Sequence, residues 1–505
     1  MCSSAFRAGH EGFGPVYVRA SYLLYASAPL LDLKRLAIFR VLLIRPDAPS
    51  VTASLRCKVE DGMFDQTHGP RKKIAIVGGG ISGLSAAYYL APFHDVTLFE
   101  AAPRLGGHAR TVMAGKNGDQ PVDTGFIVFN YVTYPFLTRL FRDLDVPVIK
   151  SEMSFGASIN DGQLEYGLSS MGAITAQKSN LMRPQFYKMI ADIIRFGKRA
   201  EAAATDDEKT IGELVEELGL GTWFRNNYLM PMCGAIWSTP VEDVDRFPAK
   251  SLVRFFRNHA LLAGSGKHQW WTVKGGSIEY IRRLDAALRA RGCIIRTDTP
   301  VRHVQRDAQE VRLFADHGLS ASFDEIILAC HSDQALQILG KDATQAETDA
   351  LGSIRYQPNT AVLHCDANQM PRRRACWSSW AYRSQDGNIG LTYWMNRLQS
   401  IPESDPLFVT LNPSTEIPQD MVYDVAHFAH PMFDKAAIKA QRDIRDMQGR
   451  NRTWFAGAWN RHGFHEDGIA SAMRIVRALN DRRQFKGMEN AFNQQSPEIE
   501  FPVHL

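Results

Sequence analysis

Arg71-Lys72-Lys73-Ile74-Ala75-Ile76-Val77-Gly78-Gly79-Gly80-Ile81-Ser82-Gly83-Leu84-Ser85-Ala86-Ala87-Tyr88-Tyr89-Leu90 is an apolar strand that runs through a Gly-x-Gly-x-x-Gly turn into a helix-forming run. Each glycine has its own task in a dinucleotide-binding turn. Gly78 permits the tight reversal, Gly80 lets the backbone approach a pyrophosphate, and Gly83 lets helix and strand pack closely. Ile81 and Ser82 open the helix whose positive end meets the phosphates, and they count with the glycines as cofactor-binding residues. A second strand, Asp95-Val96-Thr97-Leu98-Phe99-Glu100, ends in a carboxylate seventeen residues beyond Gly83, where this fold places an acceptor for ribose hydroxyls. Glu100 repels a 2′-phosphate, which argues against NADP. Strand, turn, helix, strand and terminal acid in one register predict an α/β fold with a Rossmann-like nucleotide domain.

The chain continues Ala101-Ala102-Pro103-Arg104-Leu105-Gly106-Gly107-His108-Ala109-Arg110-Thr111. This stretch resembles the flavin amine oxidase and phytoene desaturase superfamily, whose members follow the ribose-binding acid with an Arg-x-Gly-Gly-Arg-x-x-Thr segment that wraps the FAD pyrophosphate. The resemblance implies FAD as cofactor, with Ala101, Arg104, Gly106, Gly107 and His108 among its contacts. His108 replaces the second arginine of that pattern. A neutral imidazole donates a hydrogen bond but lacks the fixed charge and forked geometry of guanidinium. Thr299-Pro300-Val301-Arg302-His303-Val304 with the strands after it resembles the returning sheet segment of the superfamily, in which the residue matching Val301 touches adenine through its backbone. Trp271-Thr272-Val273-Lys274-Gly275-Gly276-Ser277 resembles the Gly-Gly step before that return. Asp123-Thr124-Gly125-Phe126 resembles the loop beside the flavin ring, which implies contacts from Gly125 and Phe126.

Near the other end stand Arg452-Thr453-Trp454-Phe455-Ala456-Gly457-Ala458-Trp459 and Gly463-Phe464-His465-Glu466-Asp467-Gly468-Ile469-Ala470. They resemble the terminal flavin motif, in which a strand ending in Phe-Ala-Gly passes under the cofactor and a helix points its N-terminus at the flavin ring. Gly457, Asp467, Gly468 and Ile469 are the matching cofactor residues. Such a helix end stabilises negative charge on a reduced flavin. Asp467 reads as the N-cap of a helix that begins near Gly468. Ala458 replaces the usual acidic or hydroxyl residue, so no contact is assigned to it. Hydride transfer to flavin requires orientation more than a particular acid or base. His465 and Glu466, at the mouth of the flavin-facing helix, are the candidates for handling a proton, with Lys274 and His331 behind them.

A chain of 505 residues with 45% hydrophobic and 22% charged residues holds two or three globular domains. Fifty-eight basic against fifty-four acidic residues leave a net charge of +4, which points away from nucleic acid. Seven cysteines are scattered with neither Cys-x-x-Cys nor a Cys/His cluster, so reduced thiols in the cytoplasm and no metal are expected. Residues 1–70 form an N-terminal extension whose apolar run, Ser21 to Ile44, is broken by Asp32, Lys34, Arg35 and Arg40. Those charges exclude an ordinary membrane span. The extension lacks a secretory signal, and Met63 offers a start beyond most of it, which makes residues 1–62 dispensable on this reading. The FAD-binding domain is expected to be discontinuous, over 71–150, 265–340 and 446–482. Residues 151–264 and 341–445 then form an α+β substrate domain, with a polar tail over 483–505.

Asn180 to Arg199 places Phe186, Met189, Ile190, Ile193 and Ile194 at helical spacing opposite Lys188, Arg195 and Arg199. One reading packs the apolar face into the protein's own core; the other makes the helix a peripheral contact with an anionic membrane on the inner face. Leu252, Phe255 and Phe256 with Lys250, Arg254 and Arg257 repeat the theme. Aromatic and Met-rich stretches around Tyr228–Pro240, Tyr356–Asn359 and Leu391–Arg397 suit a long apolar substrate. The whole span from Lys73 to Leu479 is similar to bacterial flavoproteins related to the flavin domain of plant cyclopropane fatty acid synthases. That kinship implies oxidation or desaturation of unsaturated or methylated acyl chains of membrane lipids by hydride transfer to flavin. A flavin amine oxidase and a non-catalytic flavoprotein partner of a lipid methyltransferase are the alternatives.

Overall fold

The structure is a computed structural model that describes residues 70–480 apart from 207, 238–243, 259–260, 263–267 and 386–387. The extension before residue 70, the tail from 483 and the Ser238-Thr239-Pro240 step lie outside the described residues. At the centre is a five-stranded sheet in the order Ile294–Arg296, Asp95–Phe99, Lys73–Val77, Glu325–Leu328, Thr453–Phe455. Every pairing in it is parallel. Parallel strands are covered on both faces and so read as continuous apolar runs. The run Ile74-Ala75-Ile76-Val77 shows the consequence residue by residue. Ile74 and Ile76 face a core formed with the helices Ile81–Leu90, Ile278–Ala290 and His465–Asn480. Ala75 and Val77 face the opposite core, built from Ser332–Leu339, Gln345–Gly352, Lys435–Met447 and the antiparallel sheet Val301–Arg306, Val311–Ala315, Ser320–Phe323.

A second, seven-stranded sheet runs in the order Val422–Pro431, Tyr356–His364, Phe408–Leu411, Asn388–Trp394, Trp380–Gln385, Phe155–Ile159, Leu164–Gly167. It is antiparallel except where Trp380–Gln385 meets Phe155–Ile159. Its apolar side chains share one core with the helices Pro184–Ala203, Ile211–Glu217 and Ala249–Asn258. That core takes in most of the apolar residues of the amphipathic segment. Phe186 and Met189 are buried in it, Ile190 and Ile193 pack against it, and Leu252, Phe255 and Phe256 join them. Most of the apolar face is therefore internal, whereas Ile194 is exposed. The helix also starts later than its periodicity suggests: Asn180 lies in the preceding 3₁₀ turn, buried, with its amide donating to Glu165 O at 2.9 Å. No described helix is long and apolar enough to cross a membrane.

Candidate functional site

The glycine turn has two crowded positions and an open one between them. A β-carbon on Gly78, whose φ is +112°, would stand 2.7 Å from Ala329 O, and one on Gly83 would stand 1.9 Å from Gly78 O. One on Gly80 meets nothing within 4 Å. That open side lies at the start of the helix Ile81–Leu90, which has no side-chain cap and no acid in its first turn. Uncapped N–H groups at the positive end of a helix are the donors a diphosphate requires. Glu100 accepts from Gly79 N at 2.6 Å and Ala102 N at 2.8 Å. A carboxylate has about four acceptor sites, so two remain for ribose hydroxyls. Ala101 is exposed beside it, and Val301 is half-buried at the start of its strand. These residues fit the adenosine diphosphate half of FAD.

The loop after Glu100 folds over this cradle. Gly107, with φ +55°, lies so close that a β-carbon there would be 3.1 Å from Gly80 Cα, and Gly106 has φ +112°. Arg104 donates to Leu105 O, Gly107 O and Ala109 O, so its guanidinium shapes the loop rather than standing free for a phosphate. Arg110 is likewise engaged, in a two-pronged ion pair with Asp424. A β-carbon on Gly125 would stand 2.0 Å from His108 O, which accepts from Phe126 N at 2.9 Å.

His108 sits in an aromatic cluster. Its ring stacks on Phe428 at 4.9 Å and lies 5.7 Å from His430 and 5.9 Å from His331, which itself stacks on Tyr356 at 4.5 Å. Burial first, then the neighbouring imidazoles, hold His108 well below the ordinary histidine range, and burial lowers His331 and takes His430 down to about 4. His430 was not singled out in the sequence because it comes from the edge strand of the other sheet and carries no motif. Its tautomer is set by a chain of amides. Asn412 Oδ1 takes Thr360 N, so Asn412 Nδ2 donates to Asn359 Oδ1 at 2.8 Å, and Asn359 Nδ2 donates to Gln357 O and to His430 Nδ1 at 3.1 Å. The proton of neutral His430 is thereby placed on Nε2. Among the described residues no group of three or more His, Cys, Asp or Glu could hold a metal ion.

The terminal helix begins at His465, three residues before Gly468. Asp467 is therefore inside its first turn and not its N-cap: its Oδ2 reaches back to Phe464 N at 3.0 Å and His462 N at 3.3 Å. A β-carbon on Gly468 would be 2.8 Å from Ser82 Oγ and 2.9 Å from Ile81 Cγ2, so the first turns of the two helices meet. Ile469 is buried behind them, and Gly457 N donates to Ser471 Oγ on the same helix. His465 stacks face to face on Phe126 at 3.9 Å, with Tyr280 Oη hydrogen-bonded to its Nε2 at 3.2 Å, and burial lowers it to about 3. Glu466 departs from the expected proton carrier. Both its oxygens accept backbone N–H groups, from Phe136 at 2.9 Å and Leu137 at 3.0 Å, at the start of the helix Pro135–Asp143. Burial pushes it up to about 8 against those bonds.

Asp123 is bound in the same way. It accepts from Thr111 Oγ1, Ser277 N, Ser277 Oγ and Gln399 Nε2, while burial raises it to about 6. It fixes the Gly275-Gly276 turn and the start of the helix Ile278–Ala290. Lys274 is exposed on that turn.

The family of flavin containing amine oxidoreductases matches residues 81–374, more than half of the chain. The coproporphyrinogen III oxidase of Staphylococcus aureus (strain NCTC 8325 / PS 47) is 24% identical over 360 residues, 65% of this chain and 74% of that protein. An L-glutamate oxidase precursor of Streptomyces diastatochromogenes is 41% identical over 86 residues, 16% of this chain and 13% of that protein. Among solved structures, the CLA-producing fatty acid isomerase from P. acnes superposes with a TM-score of 0.59 at 15% identity, covering 80% of this chain and 98% of that one. Cyclohexylamine oxidase from Brevibacterium oxydans IH-35A gives 0.57 at 16% identity, over 82% and 99%. At such identities the likeness is one of fold.

Proposed function

The chain belongs to the family of flavin containing amine oxidoreductases and is an FAD-dependent oxidoreductase, and on that premise we propose that its substrate is an unsaturated or methylated acyl chain of a membrane lipid. One observation carries the reading: each carboxylate brought to the flavin end of the site, Asp123, Glu466 and Asp467, is committed to backbone N–H groups of the protein. Arg461, 3.8 Å from Asp467 Oδ1, adds a cation and not an acceptor for one. His465, Phe126 and Tyr280 form one aromatic wall, and Phe464 stacks on Phe255 at 5.1 Å. A cationic amine entering there gives up its hydration without meeting a free counter-charge, whereas an acyl chain gains by leaving water.

FAD, when bound, supplies a hydride acceptor. The chain's own residues bind the acyl group against the aromatic wall and exclude water from it. His465, on that wall, is the imidazole we assign to take up the proton that leaves with a desaturation, although burial, which keeps it neutral, also makes it a weak base. A fatty acid isomerase and amine oxidases share this fold, which accommodates either class of substrate. The amine oxidase reading is favoured by the stacked Phe126 and His465, a flat aromatic pair that could flank an amine. Mass spectrometry of unsaturated phospholipids, fatty acids and small amines incubated with the purified, FAD-loaded protein in air separates the two. The acyl reading expects loss of two hydrogens or a displaced double bond. Unchanged acyl chains beside deaminated amines would overturn it.

A further inference from the structure

The helix Pro184–Ala203 and the 3₁₀ turn Lys178–Met182 before it carry a second surface that the flavin site does not use. Phe186, Met189, Phe196 and Ala200 point inward and are buried. Steps of three and four residues line up Tyr187, Ala191, Ile194 and Lys198 on the opposite side. Tyr187 is 54% exposed and Ile194 47%, and the turn adds Leu181 at 39% and Met182 at 84%. Tyr187 Oη donates to Leu181 O at 3.0 Å, which holds turn and stripe together.

Charge around this apolar stripe is largely basic, and Glu201, which follows Lys198 on the same face, is paired with Arg257. Lys178, Arg183, Lys188, Lys198 and Arg199 have no acidic partner among the described residues, and Arg183 bonds only Gln163 O and Asn180 Oδ1. Asp192 is the one acid between residues 178 and 199; it is buried and holds Arg195 and Gly221 N. Arg195 also donates to Gly219 O, so it belongs to the fold and not to the free charge.

We propose that this surface docks the protein on an anionic phospholipid bilayer, with Leu181, Met182 and Tyr187 entering the acyl boundary and the five cations at headgroup level. The arrangement is that of an interfacial helix, apolar tips flanked by basic side chains. The proposal rests on the acyl-substrate reading for its purpose, since a bilayer is where such chains are found. An acidic protein is the competing occupant. The bilayer is favoured because the apolar groups stand out from the surface instead of lining a groove.

The test is co-sedimentation of the full-length, FAD-loaded protein with phosphatidylcholine vesicles and with vesicles that also contain phosphatidylglycerol. Binding is expected only to the anionic vesicles, and it should weaken as salt is raised. Each cation near such a surface contributes about 1 kcal/mol, or roughly fivefold. Lys188→Glu, Lys198→Glu and Arg199→Glu together should therefore weaken binding by roughly 100-fold or more. Leu181→Ser with Met182→Ser and Tyr187→Ser should also release the protein from anionic vesicles. Both variants should keep their flavin and its reduction by detergent-dispersed acyl substrate. Failure of wild-type protein to bind anionic vesicles, or equal binding by either variant, overturns the docking surface; capture by an acidic protein without vesicle binding assigns it to that partner instead. Vesicle binding without reduction by any acyl chain refutes only the substrate reading.

Discussion

Gly80 and Gly83 stand three residues apart in one turn, yet their α-carbons face opposite surroundings. A β-carbon on Gly83 collides with Gly78 O at 1.9 Å, so Gly83→Ala is expected to yield little soluble, folded protein. One on Gly80 points into open space, so Gly80→Val should fold with a near-native thermal midpoint but fail to retain FAD. The flavin-to-protein ratio after desalting, read beside a circular dichroism melt, checks both; a flavin-loaded Gly80→Val would refute the cradle. The glycine roles are readable from spacing because backbone geometry dictates them. Side chains whose roles depend on the folded arrangement around them are not. Arg104 matches a phosphate-binding motif but bonds its own loop, and His430 reaches His108 only through the edge of another sheet. Asn359→Asp puts a carboxylate on His430 Nδ1, which reverses the tautomer and raises the imidazole's pKa. The pH profile of flavin reduction should then gain a titration toward neutrality that wild-type protein lacks. An unchanged profile would show that His430 does not face the reacting groups.

The helix His465–Asn480 is positioned at its first turn by three contacts. Glu466 holds the start of the helix Pro135–Asp143, Asp467 holds the entering loop, and Gly468 lets the turn meet Ser82. The acidic pair was visible in the sequence, but which backbone it serves depends on the packing of helices far apart in the chain. Glu466→Ala leaves two buried N–H groups without their acceptor and is expected to cost roughly 2–3 kcal/mol, measured by denaturant unfolding. Glu466→Gln should lose less and also change the pH response. With its folded pKa raised from 4.5 to about 8, Glu466 contributes stability that is complete below about pH 4.5 and lost as pH rises toward 8. In the glutamine variant that alkaline decline should flatten, and an unaltered decline would assign it to other groups.

Among the described residues, six imidazoles are held below their ordinary range by burial: His108, His331, His364, His430, His462 and His465. Their unfolded forms bind protons first, so the stability they support is complete above about pH 6.5 and lost as pH falls toward 4. Thermal midpoints of the cofactor-free protein should drop steeply over that window, and a flat curve there would contradict the burial of these rings. The parallel sheet was legible because its apolar strands are punctuated by glycines and a terminal acid. The seven-stranded sheet was not, since alternating burial fixes neither strand order nor which residues meet across it. Arg110 and Asp424, 314 residues apart, are joined by that unread topology. Anaerobic titration of the FAD-loaded protein with unsaturated phospholipids, free unsaturated fatty acids and small amines, followed by the flavin's visible absorption, brings cofactor and acyl site to one measurement. Bleaching by acyl compounds and not by amines is the expected result; bleaching by amines alone would contradict the acyl-binding site.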